Sequence, residues 1–323
     1  MKVGIIGAKG IGRYHVREFL DLGAEVAVAC SSEDSAREYR KVHPKIPAHG
    51  TVDELLAQGL DAVSICSPNH MHYSHAKSAL KKGLHVLCEK PLNWDSQKTP
   101  EENLMQSFEL FDIAKSKDAI LTVNTQLVSL VLSYTGLYLQ VTGPDGDLEY
   151  KSFNYKHYIS RQEEGVETLV DILPHALAML LAFYNDAKIL EISGDYDKNR
   201  WHLSLTVSSQ HEVIPAVLEL GISSEKLLEF GIDDMIAARL TETDYHKPGY
   251  LKSFLKLGEK SIEVDDPLAV SIKCFSTAVQ EHKKPDSLSN LIVSPEMAFS
   301  NAKLMYGIID WVYFSPIHDK LRL

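Results

Sequence analysis

Short apolar runs recur through the first part of the chain, at Lys2–Ile6, Glu25–Cys30, Ala62–Cys66, Leu84–Cys88 and Ile120–Val123. Between them lie stretches whose apolar residues fall at helical spacing. One such helical stretch carries Tyr14, Phe19 and Leu20, and another runs through Leu104, Phe108, Leu110, Phe111 and Ala114. His72, Ala76, Ala79 and Leu80 give helical periodicity up to Gly83, a residue suited to ending a helix in the left-handed conformation. Thr51-Val52-Asp53-Glu54 has the spacing of a capping box, so a short helix should begin there. Continuous apolar strands alternating with helices predict a parallel sheet buried on both faces.

The pattern changes beyond Asn124-Thr125-Gln126. A long helix around Leu169 to Tyr184 precedes several strands separated by turns. Trp201, Leu203, Leu205 and Val207 alternate with His202, Ser204, Thr206 and Ser208, the period-two signature of a sheet with one buried face. Later helices should begin at Asp266-Pro267 and Ser294-Pro295, each a capping residue followed by proline in the first turn. The boundary therefore falls after Asn124, giving an α/β domain over 1–124 and an α+β domain over 125–323. A chain of 323 residues is about right for two cores.

In a parallel sheet, ligands bind at the carboxyl ends of the strands, and these ends carry the candidate chemistry. Lys2–Ile6 runs into Gly7-Ala8-Lys9-Gly10-Ile11-Gly12 and then a helix, the context of a dinucleotide fingerprint. There, glycines permit a tight turn and let a pyrophosphate approach the helix N-terminus. Lys9 stands in place of the middle glycine. A glycine turn also arises where a helix merely packs close to a strand, so the turn alone leaves both readings open. At the end of the second strand no acid is placed to bind ribose hydroxyls. The chain instead reads Cys30-Ser31-Ser32 with Arg37 and Arg40 close behind, which would accommodate a 2′-phosphate; the serines could equally serve only as a helix cap. Ser67-Pro68-Asn69 leaves the next strand as a loop, with His70 and His72 straddling the start of a helix. Glu89-Lys90-Pro91 closes the strand after that. In the second domain Asp171 and His175 are four apart and share a helix face.

A net charge of −11 disfavours broad contact with phosphate backbones, so small-molecule ligands fit better than nucleic acid. No stretch approaches the roughly 20 consecutive apolar residues of a membrane span. Met1-Lys2-Val3 leads directly into a strand, so the cytoplasm is the expected compartment. Cys30, Cys66, Cys88 and Cys274 lack close pairing, and no disulfide framework is implied. His70, His72 and His75 have no carboxylate or cysteine to complete a metal set, so no metal is expected.

Taken together, the Gly7–Gly12 turn with His15 soon after, the run from Cys66-Ser67-Pro68-Asn69 to Glu89-Lys90-Pro91, and Gly165 followed by Asp171 and His175 resemble the Gfo/Idh/MocA family of NAD(P)-dependent oxidoreductases. The resemblance implies a Rossmann domain followed by an α+β domain with a large, mostly antiparallel sheet whose open face often mediates oligomerisation. A homodimer or homotetramer is the corresponding expectation. It also implies oxidation of a secondary alcohol of a sugar or cyclitol, with Lys90, Asp171 and His175 in the active site and a cis Lys90-Pro91 peptide. Gly7, Gly12, Ser67, Asn69, His72 and Glu89 would line the cofactor. With Lys9, Gly10, Ile11, Ser31, Ser32, Arg37, Pro68 and Lys90 they form the candidate site for NAD(P), with NADP favoured.

An alcohol losing hydride must also lose a proton. Histidine, with an unperturbed pKa of about 6.5, suits that task better than lysine at about 10.4, so His175 is read as the proton acceptor and Lys90 as the group polarising the oxygen. Asp171 would orient substrate and lysine, and the lysine and histidine roles remain interchangeable at this level. Two other classes stay open. One is a nucleotide-sensing regulator on the same fold, against which the joint presence of Lys90, Asp171 and His175 argues. The other is a methyltransferase, in whose chemistry Glu-Lys-Pro has no role.

Overall fold

The computed structural model describes residues 1–143, 150–160, 164–210, 212–245, 247, 249–281, 292 and 294–315. The chain divides into two compact units. One comprises Met1–Gln126 with Leu268–Ala302, the other Leu127–Pro267 with the chain from Lys303 onward.

The first unit is built on strands β1 (Lys2–Ile6), β2 (Glu25–Ala29), β3 (Ala48–His49), β4 (Ala62–Ile65), β5 (His85–Glu89) and β6 (Leu121–Asn124). They pair in the order β3-β2-β1-β4-β5-β6, and every pair is parallel. This is the Rossmann order, which reverses direction between β1 and β4 and opens a crevice at their carboxyl ends. Register brings those ends level: Ile6 lies opposite Ala29 and Ile65, Ile65 opposite Cys88, and Glu89 opposite Asn124. The strand interiors are buried on both faces, with Val3, Ile5, Val28, Val63, Ile65 and Val86 fully enclosed.

Local signals set the helices α1 (Gly12–Asp21), α2 (Glu33–Val42), α3 (Val52–Leu56), α4 (Asn69–Lys81) and α5 (Pro100–Ser116). Thr51 and Glu54 form the expected capping box, and Thr99 and Glu102 form a second one ahead of α5. Past the end of α4, Gly83 adopts φ +79° and donates to the Leu80 carbonyl, while Leu84 N–H bonds back to Ala79. The α4 helix begins earlier than its apolar spacing indicates, at Asn69, because Pro68 is already compatible with the entry to a helix. His70 and His72 therefore both lie within α4, not across its boundary.

The second unit contains α6 (Leu130–Thr142), β7 (Phe153–Ile159), α7 (Val166–Phe183) and then strands β8 (Lys188–Asp197), β9 (Arg200–Ser209), β10 (Glu212–Ile222), β11 (Leu227–Ile232), β12 (Met235–Thr243), β13 (Leu251–Leu257) and β14 (Lys260–Val264). They form one sheet in the order β14-β13-β12-β11-β7-β10-β9-β8, antiparallel apart from the β7–β10 pair. One face is covered by α7, packed on β7 and β10, and by α6, packed on β13 and β14. Trp201, Leu203, Leu205 and Val207 are buried as their alternation requires. The opposite face leaves Val213, Val217, Ile236 and Leu240 exposed. By length and composition α7 could cross a membrane, yet 78% of it is buried inside the protein, as for a core helix.

Helices α8 (Pro267–Glu281) and α9 (Pro295–Phe314) start at the expected prolines. Ser294 Oγ accepts from Met297 N–H to cap α9. Residues Leu268–Ala302 nevertheless pack with the first unit, which departs from an uninterrupted second domain over 125–323. Long-range contacts account for this. Ser271 Oγ donates to Asn124 Oδ1 at 2.7 Å, Thr122 Oγ1 donates to the Ile292 carbonyl at 3.2 Å, and Phe299 stacks on Phe108 with ring centres 4.8 Å apart.

Candidate functional site

The glycine turn combines a close approach with an open side. Gly7 has φ +90°, and its N–H donates to the Ala29 carbonyl. A Cβ on Gly12 would lie 1.9 Å from the Gly7 carbonyl oxygen, so only glycine lets α1 start this close to β1. A Cβ on Gly10 would meet nothing, and Lys9, Gly10 and Ile11 are all exposed. Lys9 therefore needs no room inside the turn. Ile11, the N-cap of α1, offers no side-chain cap, and the first turn holds no acid. By contrast α2, α3 and α5 are capped by Ser32, Thr51 and Thr99. A helix N-terminus left uncapped beside an exposed glycine turn fits a dinucleotide pyrophosphate.

At the end of β2, Ser31 and Ser32 are exposed, and Ser32 Oγ accepts from Ser35 N–H at 3.2 Å as the cap of α2. Arg37 does not reach back toward the strand end; it pairs with Asp34 at 3.1 Å along the helix surface. Arg40 is tied to Glu33 and to the Ala48 carbonyl. Burial pushes the Cys30 thiol up, while Lys9 and Arg40 oppose this shift. Ser31 is thus exposed at this strand end, and Ser32 does the work of a cap.

The loops after β4 and β5 are clamped together by His72. This side chain is fully buried, with Nδ1 2.8 Å from the Pro91 carbonyl and Nε2 2.7 Å from the Ser67 carbonyl. Burial holds its imidazole below the ordinary value although both carbonyls favour the charged form. His72, expected to line the cofactor, ties together the two loops that carry the other candidate residues. Ser67 Oγ bonds His75 Nδ1 at 2.9 Å. Pro68 is exposed and Asn69 half-buried at the same strand end. The Lys90-Pro91 peptide is cis; Lys90 is half-buried, and Pro91 and Leu92 are buried. Asn93 Nδ2 donates to Gln106 Oε1 and to the Asn103 carbonyl, pinning the polar stretch after this turn onto α5.

Glu89 is also buried, and one of its carboxylate oxygens is held by protein groups. Oε1 lies 2.9 Å from Nε2 of the fully buried His15 and accepts from Asn124 Nδ2. Burial alone would raise the Glu89 carboxyl, but His15, Lys90 and Asn124 more than offset it and bring it below the usual value. His15 behaves in mirror image: burial disfavours its imidazolium, yet Cys66 and Glu89 together push its pKa up to about 10. A buried ion pair with each partner hydrogen-bonded is the consequence. Glu89, expected to line the cofactor, is held through Oε1 next to the turn that carries Lys90.

Asp171 and His175 belong to the second unit, one helical turn apart on α7, and both are buried. The His175 ring lies 6.3 Å from that of His157, whose Nδ1 is 3.0 Å from Tyr155 Oη. The start of α7 is fixed by Trp201, whose Nε1–H donates to the Gly165 carbonyl at 3.0 Å. Lys90 sits in the first unit, so the candidate catalytic residues divide between the two. Among the described residues no group of three His, Cys, Asp or Glu side chains could hold a metal ion. Sequence reasoning did not single out Asn124, Ser271, Tyr155 or His157. Asn124 was accessible in principle, as a polar residue ending a buried strand; Ser271 carried no local signal.

Residues 1–125 match the family described as oxidoreductase family, NAD-binding Rossmann fold, or Gfo/Idh/MocA. Among curated relatives, a D-xylose 1-dehydrogenase (NADP(+)) of Haloferax volcanii is 40% identical over 102 residues, 31% of either chain. A UDP-N-acetylglucosamine 3-dehydrogenase of Acidithiobacillus ferrooxidans is 33% identical over 97 residues, 30% of either chain. These alignments span about a third of the length of the curated relatives. Solved structures extend the likeness in fold. The Acidithiobacillus ferrooxidans UDP-N-acetylglucosamine 3-dehydrogenase aligns with a TM-score of 0.67 at 19% identity, covering 96% of this chain and 98% of the other. A 3-ketoreductase from Actinomadura kijaniata in complex with NADP aligns with a TM-score of 0.68 at 21% identity, covering 94% and 95%.

Proposed function

We propose that this chain, whose residues 1–125 match the Gfo/Idh/MocA oxidoreductase family, is an NAD(P)-dependent dehydrogenase or reductase acting on a secondary alcohol or ketone of a sugar, cyclitol or related polyol. One observation carries the reading. At the carboxyl edge of a Rossmann-ordered sheet, an uncapped helix N-terminus and the Glu89-Lys90-cis-Pro91 turn are joined through the His15–Glu89 contact. This supplies an anion site after β1 and a cation after β5, at the carboxyl ends of strands separated only by β4.

When bound, the nicotinamide supplies the hydride acceptor or donor. The protein's own part is to hold the oxygen and move its proton. Lys90 is assigned to the substrate oxygen, where an ammonium stabilises developing negative charge. His175 is assigned to the proton, and Asp171 to orienting the substrate and the lysine. Gly7, Gly10, Gly12 and the first turn of α1 would hold the pyrophosphate, with Ser31 and Lys9 toward the adenosine ribose and a preference for NADP. We further place the enzyme in the cytoplasm as a homodimer or homotetramer, joined through the sheet face that exposes Val213, Val217, Ile236 and Leu240.

The test is a screen of sugars, cyclitols, amino sugars and their phosphates against both cofactors, followed by nicotinamide absorbance. Turnover with a polyol is the expected result. Tight cofactor binding without turnover on any of them would favour a nucleotide-sensing role.

A further inference from the structure

Five buried polar side chains form a continuous hydrogen-bonded line across the first unit. Ser271 Oγ–H donates to Asn124 Oδ1 at 2.7 Å, Asn124 Nδ2–H donates to Glu89 Oε1, and His15 Nε2–H donates to the same oxygen at 2.9 Å. His15 Nδ1 lies 2.8 Å from Ser64 Oγ on β4. None of these residues is more than 8% exposed. They come from α1, β4, β5, the end of β6 and α8, so one line connects five elements.

The directions of the bonds follow from chemistry. A carboxylate only accepts, so both groups facing Glu89 Oε1 must donate. For Asn124 this requires its amide nitrogen to point at Glu89 and its carbonyl oxygen away, and the hydroxyl of Ser271 selects that orientation by donating to the oxygen. Without Ser271 the Asn124 amide would be free to rotate and present its oxygen to the carboxylate, two acceptors face to face. Glu89 immediately precedes Lys90, so whatever fixes its carboxylate also fixes the backbone from which Lys90 projects.

We propose that His15, Asn124 and Ser271 are positioning residues for Lys90, with His15 coupling the helix of the glycine turn to the Glu89-Lys90-Pro91 turn and Ser271 setting the Asn124 amide. None of the three touches the reacting atoms. The proposal rests on the catalytic reading of Lys90 given above, and it makes a residue from the returning segment Leu268–Ala302 part of the machinery at the strand ends.

The test compares wild-type protein with His15→Ala, Ser271→Ala and Ser271→Thr. Three measurements are made: NADP affinity by fluorescence titration, kcat and KM on the polyol found by the screen, and hydrogen–deuterium exchange of peptides covering the unit. His15→Ala should lower kcat about 10- to 100-fold, the effect of misplacing a reacting group by about an ångström. Ser271→Ala should lower it about fivefold, the kinetic equivalent of one lost hydrogen bond. NADP affinity should stay within about threefold in both, since no ligand contact is removed. Exchange should quicken at residues 88–93 and not across the sheet, and Ser271→Thr, which keeps the hydroxyl, should restore kcat. An unchanged kcat in folded Ser271→Ala and His15→Ala, or faster exchange spread over the whole unit, would overturn the proposal. Should His15→Ala fail to fold, the Ser271 pair decides by itself. If the wild-type protein turned over no polyol, the functional reading would fail, and local exchange at 88–93 would still decide the positioning role.

Discussion

The imidazole Nε2 of His15 lies 2.9 Å from Oε1 of Glu89, although the two residues are 74 positions apart. The contact welds the start of α1 to the end of β5 and makes two candidate elements, the glycine turn and the lysine turn, parts of one rigid edge. It also sets a pH dependence. The folded-state pKa of His15 is raised from about 6.5 to about 10, so the stabilisation from its proton is fully present below about pH 6.5 and is lost as pH rises toward 10. Glu89 has the opposite sign: its pKa is lowered, so its contribution is present above its unfolded value and is lost in acid. Thermal unfolding of wild-type protein should therefore lose midpoint temperature between about pH 7 and 10, and His15→Ala should be much flatter across that window. An equally steep fall in the variant would show that other groups cause it.

Lys90→Ala is expected to reduce turnover about 10²- to 10⁴-fold while leaving cofactor affinity nearly intact, as for removal of a positioned catalytic group. His175→Ala should behave alike. Steady-state kinetics with a parallel cofactor titration and a circular dichroism spectrum check this. Near-wild-type turnover in folded Lys90→Ala would remove the turn from the catalytic account.

Cofactor preference should separate the two serines after β2. Ser31→Asp places a negative charge at the exposed strand end and is expected to weaken NADP binding at least tenfold with little effect on NAD. Ser32→Ala should instead cost about 1 kcal/mol of stability, the usual worth of an N-cap, and leave the preference unchanged. Calorimetric titration of both cofactors and urea unfolding give the two readouts. A clear NAD preference that Ser31→Asp leaves unaltered would contradict the NADP assignment.

Trp201 is fully buried and holds the Gly165 carbonyl at the start of α7. Trp201→Ala should cost about 3–5 kcal/mol through the cavity it leaves, and Trp201→Phe should cost less because most of the ring volume remains. Urea unfolding followed by tyrosine and tryptophan fluorescence measures both. A cost under about 1 kcal/mol for the alanine variant would mean that the sheet collapses onto the vacant space.

What the sequence by itself determined is what short-range physics governs. Apolar runs placed the strands, Thr51 with Glu54 and Ser294 with Pro295 placed helix starts, and the period-two pattern from Trp201 to Ser208 assigned the buried face of β9. The glycine turn and Glu89-Lys90-Pro91 were legible because each is contiguous and sits at the end of an apolar run. Only the tertiary structure decided that Ser271, 147 residues from Asn124, returns to orient its amide, and that Leu268–Ala302 packs with the first unit. It also showed what His72 and Glu89 bond to: both His72 ring nitrogens reach the Ser67 and Pro91 carbonyls, and Glu89 Oε1 meets His15 and Asn124. A polar residue at a strand end looks the same in sequence whether it meets a ligand or a distant side chain. The distinction lies in burial and in where each donor finds its acceptor, and both are properties of the packed chain.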